Sequence, residues 1–280
     1  MSSKPALSSF FGMRGPFKAP RGSAKKPPQV VQTLAGTPRM NAVLQPQQEF
    51  SVQFTGHAVQ PNRDQAFFTA IEELRYQVYC EECGFLEARD YPNRRETDEH
   101  DTNSAHFAAL NLREDLVGYV RLVFPDALQS FPFQTHCVSI LDNVILPPPA
   151  QSAEISRLMV HKNYRRRLGE RPPAGFSSAE PQESRANDQR NPSPQIMLTL
   201  YREMYVYSVN NDIRYWYAAM ERSLARILTR MNFGFQQIGP FTDYYGPVAP
   251  YVADLRVLEY QLSQRDPALL AWMRAPLAQS

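Results

Sequence analysis

Cysteine is scarce and odd in number: Cys80, Cys83 and Cys137 are the 3 thiols of a 280-residue chain. Such a count argues against a disulfide framework and for a reducing compartment, so a cytoplasmic location is expected. Long apolar runs are missing as well. None approaches the roughly 18 residues a membrane span needs, and no charged start leads into the apolar core of a secretory signal. Net charge is only +2 at pH 7, too small to imply a polyanionic partner for the whole molecule. No nucleic-acid contact is expected.

Acidic residues are absent from 1–48, where Lys4, Arg14, Lys18, Arg21, Lys25, Lys26 and Arg39 stand among Ser, Pro, Gly and Ala. Too few large apolar groups recur there to offset the entropy of ordering, so this segment is expected to be a disordered basic arm. The 24 prolines are densest in the first 50 residues and in the window 172–194. The stretch of about 168–194 is almost devoid of groups to bury and is expected to be a flexible surface insertion. The remainder, within 49–280, has ordinary globular composition and is large enough for a single domain with a substantial core.

Periodicity places the elements. Phe50–Phe54 alternates as a strand does. Asn62 is a plausible N-cap for a helix carrying Phe67, Ile71, Leu74 and Val78 on one face as far as Gly84. Arg75 and Tyr79 sit one turn apart on it. After an aperiodic, charged segment (87–103), 105–112 and 116–124 read as a hairpin, and Val138–Leu146 as a short apolar piece stopped by three prolines. Glu154–His161 is a strand with a polar start. Gln195–Val209 is a helix apolar nearly all round, Ile213–Met220 an interior strand, and Leu224, Ile227, Leu228 and Met231 mark an amphipathic helix. A strand near Tyr251–Val257 and a helix over Pro267–Met273 complete the series. This order suits an α/β fold with a largely antiparallel sheet.

Two stretches carry chemistry. Glu96-Thr97-Asp98-Glu99-His100-Asp101 puts four carboxylates into six positions; alone it reads as a solvated acidic loop. Arg75, Arg121 and Arg157 on neighbouring elements need carboxylate partners if buried, and Glu96, Asp98 and Asp101 supply them. Glu154-Ile155-Ser156-Arg157 is the second. Strand alternation puts Glu154 and Ser156 on one face, Ile155 and Arg157 on the other. A Cys80-x-x-Cys83 pair followed by His100 and His106 approaches zinc spacing and offers a different class of function, a zinc- or nucleic-acid-binding module. Against it, both cysteines fall in a helical pattern, the Cys83–His100 gap is long and His106 sits in a strand.

In order and separation, Arg75-x-x-x-Tyr79, Glu96-x-Asp98-x-x-Asp101, Gly118-x-x-Arg121-Leu122 and Glu154-Ile155-Ser156-Arg157 resemble the signature of the autoinducer (acyl-homoserine-lactone) synthases. They are more similar still to the N-acyl amino acid synthases and the acyltransferases associated with PEP-CTERM/exosortase systems. The tail Gly239-Pro240-Phe241-Thr242-Asp243-Tyr244-Tyr245-Gly246 resembles this second group. The resemblance spans about 50–258 and implies a single GNAT-like (acyl-CoA N-acyltransferase) α/β domain. Its central mixed, mostly antiparallel sheet would be flanked by helices, and two strands, here 154–161 and 213–220, would splay around the donor's pantetheine arm.

Further expectations follow from the resemblance. It implies transfer of a fatty acyl group, long-chain by preference, from a thioester to the amine of an amino acid or similar small acceptor, with no cofactor or metal; a monomer is expected. The alternative is a lactone-forming autoinducer synthase using S-adenosylmethionine. Phe85 stands where autoinducer synthases carry Trp. The glycine-rich loop that grips coenzyme A pyrophosphate is replaced by Tyr164-Arg165-Arg166-Arg167-Leu168-Gly169, which disfavours free acyl-coenzyme A. An acidic acyl carrier protein docking on Arg165, Arg166 and Arg167 is the expected partner, although such a cluster is equally a solvated strand end. Glu154, Ser156 and Arg121 are placed at the reacting centre, with Glu154 as base and Ser156 orienting the thioester or protonating the thiol. Arg75, Tyr79, Phe85, Glu96, Asp98, Asp101 and Arg157 are placed at the acceptor site.

Overall fold

A computed structural model describes residues 53–165 and 193–276. The basic arm and all but the end of the insertion lie outside the described residues. The chain begins with β1 (Phe54–Val59) and α1 (Gln65–Tyr76), which loosens into a π-helical stretch over Gln77–Glu82. Gly84, at φ 63°, then turns the chain out of the helix. A loop follows to the hairpin of β2 (Ser104–Asn111) and β3 (Leu116–Val123), then the short α2 (Pro132–His136) and β4 (Ser152–Val160). Next come α3 (Ser193–Asn210), β5 (Tyr215–Glu221), α4 (Arg222–Arg230), the two-residue strands β6 (Gln236–Gln237) and β7 (Thr242–Asp243), and β8 (Pro247–Asp254). Helices α5 (Leu255–Arg265) and α6 (Pro267–Arg274) end the described chain. Among the described residues no helix is long and apolar enough to cross a membrane.

One sheet of eight strands runs β1-β2-β3-β4-β5-β8-β6, with β7 also on β8, and every pairing is antiparallel except β4 with β5. Alternation along β3 divides its side chains between two layers. Tyr119 joins Ile71, Leu74 and Val78 of the first helix on one face, while Val120 and Leu122 join Ile196, Leu200 and Met204 of α3 on the other. Gly118 lets α3 approach closely, because a Cβ there would lie 2.7 Å from Ile196.

The parallel pair β4–β5 is the feature that makes a site. It holds only over Ser152–Glu154 against Tyr215–Tyr217, although β4 continues to Val160 and β5 to Glu221. Where the strands part, β5 changes from Tyr215-Trp216-Tyr217 to Ala218-Ala219, so small side chains line the opening wedge. The expected splay is therefore present.

A second irregularity corrects the simple alternation read for β4. Arg121 pairs with Ser156 but Tyr119 with Met159, so Arg157 and Leu158 together oppose Val120. This β-bulge has Arg157 at φ 55°, a left-handed conformation that a long side chain seldom adopts. The extra residue turns Arg157 onto the same face as Arg121 and Ser156, instead of leaving it with Ile155.

Several boundaries also move. The first strand is 54–59, and of the expected 50–54 only Phe54 belongs to it. Helix α1 starts at Gln65, not beside Asn62; the cap residue Asp64 has its carboxylate taken by the Gln60 N–H at 3.3 Å. Val138–Leu146 is, as expected, a short apolar piece before the prolines: Ile140, Val144 and Leu146 pack inward, Val138 and Ile145 are exposed, and the Leu141 N–H bonds the Ile238 carbonyl. The strand expected over 251–257 stops at Asp254, whose carboxylate accepts the Arg256 N–H at 2.9 Å and starts α5.

Candidate active site

Three arginines and three carboxylates close into one cluster under β3 and β4. Arg75 of α1, wholly buried, donates through Nε to Glu96 Oε2 at 2.5 Å and through Nη1 to Asp101 Oδ1 at 2.6 Å. Arg121 of β3 grips Asp98 with both terminal nitrogens, each at 2.6 Å, and reaches Asp101 at 2.5 Å. Arg157, delivered by the bulge, donates to Glu96 Oε1 and Asp98 Oδ2, both at 2.9 Å. Burial alone would raise all three acids. The bonds and charges of the arginines outweigh it and hold Glu96, Asp98 and Asp101 below their ordinary values. The six charges balance one another.

Glu154 is placed quite differently. It lies at the vertex of the splay, in the last register pair with Tyr217, and is 6% exposed. Oε2 accepts the Phe133 N–H at 2.8 Å, and among the described residues no arginine bonds it directly. Burial pushes its carboxyl up to about 7, with the Phe133 bond and the more distant Arg121 and Arg157 pulling back. Such a group exchanges a proton near neutral pH. Ser156 stands nearby, its hydroxyl 3.5 Å from Arg121 Nη2.

A cavity of about 550 Å³ runs past both features. On the α1 face it is lined by Glu96, Asp98, Arg121, Ser156, Arg157 and Glu154, together with a wall of rings. Tyr79 lies under the Arg157 guanidinium at 4.8 Å and 6.2 Å from Phe85, Phe85 lies 5.4 Å from Tyr245, and Tyr244 stacks on His136 at 3.7 Å. Through the wedge the lining becomes Ile155, Leu158, Tyr201, Ala218, Met220 and Leu224, which belong to the α3-face core or pack against it. The sheet thus divides the cavity into a polar half and an apolar half, joined at Glu154.

Of the residues singled out in the sequence, Tyr79, Phe85, Glu96, Asp98, Arg121, Glu154, Ser156 and Arg157 line this cavity. Arg75 and Asp101 belong to the cluster but not to the lining, so they hold the wall from behind. Arg165 does not sit on the surface: it is 7% exposed and ion-paired with Glu82 of the π-helical stretch. Its side chain is spent on packing, which corrects its expected docking role; Arg166 and Arg167 lie outside the described residues. The zinc arrangement does not form. His106 has both ring nitrogens engaged, with the Tyr119 hydroxyl at 2.7 Å and the Asp101 carbonyl at 2.9 Å. Among the described residues no group of three His, Cys, Asp or Glu is placed to hold a metal.

Sequence reasoning missed the Phe133 N–H, a backbone group that no side-chain pattern reveals, and it passed over His136 and Tyr201. The Tyr244-Tyr245 doublet carries a signal of its own, since a ring pair before Gly246 marks a tight turn able to aim both rings.

The sequence from 74 to 171 matches the acetyltransferase (GNAT) domain family. Among solved structures, the fold is similar to that of BjaI, a CoA-dependent acyl-homoserine lactone synthase solved with SAM and isopentyl-CoA, at a TM-score of 0.53 and 16% identity over 76% of this chain and 88% of that one. It is also similar to TofI, solved in a ternary complex with an inhibitor and MTA, at TM-score 0.50 and 17% identity over 78% and 99% of the two chains. The acyl-homoserine lactone synthase LasI gives TM-score 0.50 and 15% identity over 72% and 90%. No curated protein matches the sequence at a significant level. At such identities the solved structures speak for the fold, and the family match speaks for the chemistry. Residues 74–171 thus match the GNAT acetyltransferase domain, the fold resembles that of the autoinducer synthases, and the chain is an acyltransferase.

Proposed function

We propose that the protein moves a fatty acyl group from a carrier-protein thioester to the amine of an amino acid or similar small acceptor. The observation that carries this reading is Glu154, a buried carboxylate poised near neutral pH where a polar pocket meets an apolar one. An acceptor amine with a free pKa of roughly 8 to 10 is mostly protonated at pH 7 and must lose a proton before it attacks. Glu154 takes that proton, directly or through water. The nitrogen then adds to the thioester carbonyl, and the tetrahedral oxyanion is met by backbone N–H groups on the edge of β4 that β5 leaves unpaired. The adduct nitrogen sheds its second proton to water, collapse breaks the C–S bond, and Glu154 passes the proton it holds to the departing thiolate.

The other residues divide by half. Arg121, Arg157 and their carboxylates fix the shape of the acceptor pocket, Ser156 orients the thioester, and Tyr79, Phe85, Tyr244 and Tyr245 form its wall. Ile155, Leu158, Ala218, Met220 and Leu224 receive the chain. The carrier protein is proposed to dock through Arg166 and Arg167, without Arg165, and such binding would weaken with added salt. A lactone-forming reaction on S-adenosylmethionine is the second reading, supported by the sulfonium-compatible ring wall beside the Arg–carboxylate cluster. The test is incubation with long-chain acyl carrier protein, acyl-coenzyme A, a pool of amino acids and S-adenosylmethionine, followed by mass spectrometry. N-acyl amino acids are expected. A lactone product would favour the second reading, and no acyl transfer to any amine would sink both.

A further inference from the structure

The charges on the cavity wall do not balance. Glu96, Asp98, Glu99, Glu154 and Glu221 line it against Arg121 and Arg157, and among the described residues no lysine does. Both arginines are committed: Arg121 donates to Asp98 and Asp101, Arg157 to Glu96 and Asp98, and Arg75 behind the wall completes a neutral set. Glu99, Glu154 and Glu221 are left over. The Glu99 carboxylate lies 3.6 Å from the His100 ring, and Glu221 accepts the Ser223 hydroxyl at 3.2 Å. His136, on the same wall, is held toward its neutral form by burial. A carboxylate brought into such a cavity would lose water and gain no uncommitted arginine or lysine, whereas an ammonium group would be attracted.

The rings point the same way. Tyr245 is 42% exposed yet sits in a left-handed backbone at φ 53°, with Gly246 after it at φ 107°. That conformation is strained for a tyrosine, and Tyr245 belongs to none of the buried clusters that would explain it. The turn sets its ring 5.4 Å from Phe85 and 4.7 Å from Tyr244, a row of faces along the acceptor half. Alternation along β5 puts Glu221 on the side of Tyr217 and Ala219, which pack with Tyr244, beyond the point where β5 has left β4. Carboxylates beside aromatic faces are the chemistry that recognises an ammonium group. We propose that the preferred acceptor is an α,ω-diamine without a carboxylate: one nitrogen attacks the thioester at Glu154, and the other stays an ammonium held by Glu99, Glu221 and the faces of Phe85 and Tyr245. The attacking ammonium gives up two protons, one through Glu154 to the departing thiolate and one to water. The C–S bond is exchanged for an amide bond, and the product is a mono-acyl diamine. This rests on the acyltransferase reading above and narrows its acceptor; amino acids are then the weaker acceptors of the same site.

The test uses probes that differ by one charged group. Full-length protein is titrated by calorimetry with cadaverine, with lysine, which adds a carboxylate, and with pentylamine, which lacks the second ammonium. Cadaverine is expected to bind about tenfold more tightly than either, the scale of one cation–π contact in a partly desolvated site, and the advantage should shrink with added salt. In the double variant Glu99→Gln/Glu221→Gln and in Tyr245→Ala it should fall to near one. With an acyl thioester present, kcat/KM should follow the same order, and mass spectrometry should find mono-acyl cadaverine. Lysine binding as tightly as cadaverine overturns the proposal, as does an advantage that survives in both variants. Preferential cadaverine binding with no transfer to any amine would keep the diamine site and remove the acyltransferase reading. Transfer to lysine in preference to cadaverine would do the reverse. The wild-type titration decides the matter even if a variant fails to fold.

Discussion

The two faces of the sheet bury acidic residues in opposite ways. Under the α1 face Glu96, Asp98 and Asp101 are bonded to Arg75, Arg121 and Arg157 and remain ionised. On the α3 face Glu203 is 4% exposed, no hydrogen bond from a described residue reaches its carboxylate, and burial raises it to about 7 against the pull of Arg202. Glu154 sits where the faces meet, bonded to one backbone N–H, and titrates near the same pH as Glu203. Burial is therefore not what separates a structural acid from a reactive one. The paired acids are locked, Glu154 is poised and opens on the cavity, and Glu203 is poised but packed against Gly56, where a Cβ would lie 2.3 Å from its Cγ.

The largest expected effect breaks the locked set. Asp98→Ala removes both acceptor oxygens of the Arg121 fork, leaving that arginine with Asp101, and one acceptor of Arg157, so that three buried arginines face two carboxylates. A loss of about 3–5 kcal/mol is expected in denaturant unfolding; a loss under about 1 kcal/mol would mean that water reaches the cluster and that it does not act as a rigid wall. Next is the poised acid at the junction. Glu154→Gln keeps an oxygen for the Phe133 N–H but cannot accept a proton, so kcat should fall about 10²–10⁴-fold with donor binding retained. In the wild-type protein kcat/KM should rise with pH and level off above about 7, because the active form is the carboxylate. A variant with full activity would remove Glu154 as the base.

Much of the locked set was legible in the sequence, for a physical reason. Charged residues recurring on elements that must also build a core have few arrangements open to them, and pairing Glu96, Asp98 and Asp101 with Arg75, Arg121 and Arg157 is the one that avoids a stranded charge. The splay was legible only through the resemblance, since nothing in Ile213–Met220 by itself says that its pairing stops at Tyr217. The bulge was not legible at all. Ile155-Ser156-Arg157-Leu158 contains no glycine, and Arg157 holds its left-handed backbone because three bonds to Glu96 and Asp98 fasten the side chain. Arg165 misled for the converse reason: in a run of arginines nothing marks the one whose partner, Glu82, lies far back in the chain. Likewise Glu203 vanishes into a helix apolar nearly all round, where sequence does not distinguish a polar group with a partner from one without.

A smaller effect tests the apolar half alone. Ala218 is nearly buried and lines the wedge just past the last β4–β5 pair. Ala218→Leu should fill that space without touching the acid–arginine cluster. Long acyl donors should lose about 10–100-fold in kcat/KM, in keeping with the overpacking cost of an inserted branched side chain, while acetyl donors lose much less. Equal loss for both lengths would place the acyl chain somewhere other than between β4 and β5.

The smallest effect concerns the second poised acid and needs its sign worked out. The folded protein holds the Glu203 proton more tightly than the ordinary value of 4.5, up to about 7. Its contribution to stability is therefore complete below pH 4.5 and is lost as pH rises through 7. Glu203→Gln removes that loss, so the variant should exceed wild type by about 3 kcal/mol at pH 8 and by almost nothing at pH 4. Glu154 titrates in the same window in both proteins, so it cancels in the difference. The locked acids move the other way, lending stability that disappears as pH falls below the ordinary carboxylate range. A pH-independent difference between wild type and Glu203→Gln would mean that Glu203 is already paired in solution, and the contrast between the two faces would then reduce to the cavity lining alone.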